Sequence, residues 1–100
     1  PSLNEVGAAI NSGENVNGQV QGFSPLHFAA WKGTADHVYL LLHVGANIDA
    51  IEQSTGWTPL HTAVLGGNLD AVNMLLKKGA NVSIKDINYM QGYLQHVRLY

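Results

Sequence analysis

Apolar residues follow helical spacing twice along this chain, at Val38, Leu41 and Leu42 and again at Val72, Leu75 and Leu76. Each set lies at i, i+3, i+4 and so shares one helix face that must be buried. Ahead of each stripe comes a shorter segment opened by a hydroxyl residue and a proline: Ser24-Pro25 and Thr58-Pro59. The hydroxyl can accept a backbone N–H as an N-cap, and proline at the first helical position loses no hydrogen bond. These segments predict helices running to about Trp31 and Leu65, stopped by Gly33 and Gly67, with Gly45 and Gly79 closing the second helices in positive φ. Stretches 46–57 and 80–91 collect Asn, Asp, Gln, Ser, Thr and Gly, the residues of turns and hairpin loops.

The pattern is a repeat. Gly22-Phe-Ser-Pro-Leu-His27 returns 34 residues later as Gly56-Trp-Thr-Pro-Leu-His61. Residues 22–49 and 56–83 share 13 identities in 28 positions, where chance gives roughly two. Such a period signals a solenoid of stacked supersecondary units. Upstream, Val6, Ala9 and Ile10 reproduce the second-helix stripe at an offset of 32, and Gly13 to Asn17 parallel Gly45 to Asp49. After Asp86 only a stripe of Tyr93, Leu94, Val97 and Tyr100 persists. The expected organisation is a single domain over 1–100: a partial repeat at 3–21, full repeats at 22–55 and 56–89, and a degenerate closing helix at 90–100.

These motifs resemble the ankyrin repeat, with its Gly-x-Thr-Pro-Leu-His-x-Ala-Ala opening and its Leu-Leu-x-x-Gly-Ala-x-Val-Asn close. Ser24 to Ala30 and Thr58 to Val64 match the opening, with Ser for Thr in the first and Val for Ala in the second. Leu41 to Ile48 and Leu75 to Val82 match the close. The resemblance covers about residues 3–86. It implies an all-α solenoid of stacked antiparallel helix pairs with projecting hairpin loops. It also implies structural roles for His27 and His61, each bonding near its own cap hydroxyl and bridging to the next unit. In the family the Asn that closes the repeat can be hydroxylated. Only Asn17 keeps it here, and the plainer expectation is a turn asparagine whose side chain holds the loop.

Composition narrows the function further. Charged residues are 12%, hydrophobic residues 46% and the net charge is -2. The chain is too apolar for disorder and shows no basic footprint for nucleic acid or acidic lipid. Its longest apolar run, Val38 to Leu42, falls far short of the ~20 residues that span a bilayer. The absence of cysteine excludes disulfides, thiol nucleophiles and cysteine-ligated zinc. It favours an intracellular setting, in the cytoplasm, the nucleus or both. Pro1 in place of Met suggests a fragment of a longer chain.

Catalytic chemistry finds little support. His37 and His43, six apart on one helix, point to different faces and cannot share a metal. Gly22 to Leu26 lacks the second glycine of a nucleophile elbow, and a cap accounts for Ser24. No phosphate loop or metal-binding motif occurs. Lys32, Lys77, Lys78, Lys85 and Arg98 read as solvated charges, with Lys77 and Lys78 favoured at a helix C-terminus. No enzyme activity, cofactor or metal is expected.

The architecture implied by the resemblance makes the loop tips and the end of each first helix one concave surface. It places Phe23 and Trp57 after the loop glycines, Trp31, Lys32 and Leu65 at the first-helix ends, Glu52 and Gln53 at one loop tip, and Tyr89 and Met90 at the next. These nine residues are the expected partner-binding set, with Trp57 the central anchor and Glu52 a rim charge. The competing expectation is that Trp31 and Trp57 stack on each other and merely seal the surface. The expected partner is another protein, without nucleic acid or membrane. The chain is expected to be mostly monomeric, with weak self-association through stacking faces at Val6, Ile10, Leu94 and Val97. The alternative function is a structural spacer or regulatory domain serving an effector elsewhere in a longer chain.

Overall fold

The computed structural model describes residues 16–82. It contains four helices in chain order: α1 (Pro25–Lys32), α2 (Ala35–His43), α3 (Pro59–Leu65) and α4 (Leu69–Lys77). Among the described residues there is no strand, only the isolated bridges Val20–Phe23 and Glu52–Trp57 at the necks of two turns. Helices α1 and α2 pack as one pair and α3 and α4 as the next, with α1 against α3 and α2 against α4. The two pairs are successive layers of a solenoid, each covering the apolar face of the other.

Both first helices start as the sequence predicts. Ser24 and Thr58 are N-caps, prolines follow at the first helical turn, and the histidine three residues on completes a reciprocal capping box. A third such box was not anticipated: Thr34 caps α2 and His37 answers it, Nδ1 lying 2.8 Å from the Thr34 hydroxyl. The stops differ slightly from expectation. Gly33 caps α1 in an extended conformation, because Thr34 must open α2 at once, whereas Gly66 caps α3 and Gly67 takes the left-handed conformation after it.

Leu26, Ala29, Ala30, Val38, Leu41, Leu60, Ala63, Val64, Ala71, Val72 and Leu75 form the buried core. Leu42 and Leu76, expected in full burial, are half-buried and pack on the margin of this core. They flank the central stripe, where the apolar face curves towards solvent.

Polar ties join the layers as well. Asn17 Oδ1 accepts the Asn47 N–H at 2.7 Å while its Nδ2 donates to the Gly45 carbonyl at 3.2 Å. Asp49 repeats the first contact one unit on, accepting the Asn81 N–H at 2.9 Å. Asn17 thus does what a turn-holding asparagine does. The closing helix, the outer stacking faces, Tyr89 and Met90 lie outside the described residues.

Candidate partner-binding groove

The loops set the edge of the site. Residues 20–23 form a two-residue turn, with Gln21 at φ 54 and Gly22 at φ 87. Positive φ at both central positions is the twist-matched geometry for joining two antiparallel arms. The next loop has four residues between its bridge partners instead of two. The extra pair, Ser54 and Thr55, donates to the Glu52 carboxylate through both amides, at 2.9 and 3.0 Å, and both hydroxyls, at 2.8 and 2.6 Å. Glu52 is only 6% exposed. The Thr55 hydroxyl foremost, with the Ser54 donors, holds its carboxyl down at about 2. Glu52 is therefore not the rim charge expected of it. Its charge is consumed inside its own loop, and Gln53 alone of that pair stays exposed at the tip.

His27 connects the loop to the helix beneath. Ser24 presents its N–H at 3.0 Å and its hydroxyl at 2.8 Å to Nδ1, while Nε2 lies 2.9 Å from the Trp57 carbonyl. This network assigns the neutral tautomer with the proton on Nε2, donating across units. Burial pushes the His27 pKa down, against the opposing pull of the Trp57 carbonyl and Glu52. His61 repeats the cap contact, its Nδ1 3.0 Å from both the Thr58 amide and hydroxyl. The implied role holds in full for His27, which bonds its own cap and bridges to the next unit, and His61 shows the cap contact; both hydroxyls also accept the histidine backbone N–H as N-caps. Among the described residues, no group of three or more His, Cys, Asp or Glu could hold a metal.

Above this framework lies an apolar groove of about 290 Å³, lined by Phe23, His27, Phe28, Trp31, Trp57, Thr62 and Leu65. Its walls are the outward faces of α1 and α3. Phe28 and Trp31 on α1 stand where Thr62 and Leu65 stand on α3, and Phe23 and Trp57 precede the two caps. Phe23 meets His27 and Phe28 edge to face, at centroid distances of 5.4 and 5.9 Å. The two tryptophans line the groove from different units instead of stacking on each other. Trp31 is 44% exposed and Leu65 46%. Trp31 also packs over Gly66, where an added Cβ would come within 2.6 Å of the indole.

Of the expected set, Phe23, Trp31, Trp57 and Leu65 are brought together in this groove. Lys32 stands beside it, its ammonium 4.8 Å from the centroid of the Trp31 ring. Gln53 lies on the loop tip outside the groove lining. Phe28 was missed. Its signal was available, since it sits three residues before Trp31 and so shares that helix face.

A family model for ankyrin repeats in three copies matches residues 2–86. Among curated proteins no match was found.

Proposed function

The chain belongs to the ankyrin-repeat family, and on that premise we propose that it is a protein-recognition module that binds without catalysis. Ankyrin repeats are in general protein–protein interaction modules. The observation that carries the proposal here is the groove. Large aromatic and aliphatic side chains from both units are concentrated, half-open, in one groove, and of these only Phe28 also packs against the core. Such residues are what a protein interface uses as anchors, giving much contact area for little lost side-chain freedom. Phe23, Phe28, Trp31, Trp57 and Leu65 are the anchors, and Lys32 supplies charge at the edge.

The test compares two equally mild surface changes. Leu65 lies in the groove, whereas Leu40 on α2 is similarly exposed, at 41%, and lies outside it. Leu65→Arg should abolish retention of a partner by the immobilised chain, and Leu40→Arg should leave it intact, with unchanged circular dichroism in both. Equal retention by both variants would remove the groove from the account and favour the spacer reading.

A further inference from the structure

We infer that the groove takes a peptide segment that presents one bulky apolar side chain with a carboxylate close beside it in sequence. This deepens the recognition reading and rests on it. Three observations select that occupant. The first is size: about 290 Å³ is just under the roughly 300–1,000 Å³ of sites that enclose a drug-sized ligand, which suits a single large side chain.

The second is the state of the floor. Its two polar residues are already satisfied by the protein. His27 Nε2 is bound to the Trp57 carbonyl, and the Thr62 hydroxyl lies 2.9 Å from the His27 carbonyl and 2.8 Å from that of Pro59. A polar side chain entering the groove would give up its water and find no partner, so the anchor is apolar.

The third is the rim, which carries a cation. The Lys32 ammonium rests on the Trp31 ring with no carboxylate paired to it among the described residues. The indole N–H groups of Trp31 and Trp57 form no hydrogen bond among the described residues. Glu52, in the loop that leads to Trp57, is saturated by its own loop. One cation beside an apolar slot complements an anionic acceptor next to an apolar anchor, and the two unbonded indole N–H groups belong to residues that line the slot. A cationic anchor is disfavoured at Trp31, where Lys32 already stands on the ring.

The test pans the whole 100-residue chain against a display library of random peptides and then measures selected peptides by fluorescence anisotropy. Enriched sequences should carry Phe, Trp, Leu or Ile with Asp or Glu within two positions. Replacing that acid by its amide should weaken binding at least tenfold at low salt, and the gap should close as salt rises. Lys32→Gln, at an exposed site, should erase the preference, bringing the acidic peptide's affinity down to that of its amide. Enrichment of basic or uncharged motifs, or an acid preference untouched by Lys32→Gln, would overturn the inference. If such peptides still lost affinity with Leu65→Arg, the recognition groove itself would stand. If no peptide were enriched, or if binding ignored both variants, the inference and the groove reading would fall together.

Discussion

Asn68 ties one repeat to the next more densely than its sequence position suggests, and removing it tests whether inter-unit polar ties contribute to stability. Its Nδ2 donates to the carbonyls of Ala30 at 3.0 Å and Gly33 at 2.8 Å, at the C-terminal end of α1. Its Oδ1 accepts the Ala71 N–H at 3.3 Å and so caps α4. Loss of the cap costs about 1 kcal/mol, and each lost carbonyl bond costs about 0.5–1.5 kcal/mol. Asn68→Ala should therefore destabilise by about 2–4 kcal/mol in urea unfolding followed by circular dichroism, with an unchanged denaturant slope. For a chain of this size that is about 10–25 °C in melting temperature. Asn68→Ser keeps a capping oxygen but cannot reach Ala30, so it should retain the cap and lose the bridge, about 1–3 kcal/mol. Asn68→Asp also caps, yet it sets a carboxylate against two carbonyl oxygens and should be no more stable than the serine variant. If Asp were as stable as Asn, or if Ala lowered melting by less than about 5 °C, the bridge would be idle and the layers held by apolar stacking alone.

Three further outcomes follow from the same geometry. Leu75→Ala, which empties a fully buried position against the neighbouring layer, should cost about 2–5 kcal/mol and could unfold a domain this small; an unmoved melting curve would contradict the solenoid core. Stability should hold above pH 6.5 and fall as pH drops below it, because unfolded His27 takes a proton near 6.5 while burial keeps the folded imidazole neutral to lower pH. A second decline should begin below 4.5, where unfolded Glu52 protonates, and continue to about 2; urea midpoints across this range check both, and Glu52→Gln should flatten the second decline and speed amide exchange at Ser54 and Thr55.

The repeat, its caps and its core were legible because each is written in local spacing. Pro25 and Pro59 mark helix starts, and the Val-Leu-Leu stripes mark a buried face, without any knowledge of neighbours. What was not legible depends on loop length and reach. Glu52 looks like an exposed tip charge until the two extra residues after it fold back and surround its carboxylate with donors. Asn68 aligns with Thr34 and, like it, caps the second helix of its unit. Only its longer amide, placed by the Gly66-Gly67 turn, reaches the carbonyls of α1. Phe28 was overlooked because its equivalent in the next unit is Thr62, so the repeat comparison hid an aromatic that helical spacing from Trp31 would have exposed.

The claim that recognition and fold use separate residues is tested most directly on Trp57. Its structural ties run through its main chain: its carbonyl receives His27, and its N–H donates to the Thr55 hydroxyl at 3.2 Å. Truncation of the side chain leaves both in place and removes only the groove wall. Affinity and melting temperature should be measured on the same Trp57→Ala protein, with the tightest peptide selected by the whole chain as probe. The account predicts a loss of roughly 2–4 kcal/mol in binding, about 30- to 1,000-fold, with a melting shift well short of that of Leu75→Ala. A melting loss equal to that of Leu75→Ala, with affinity intact at low temperature, would contradict it.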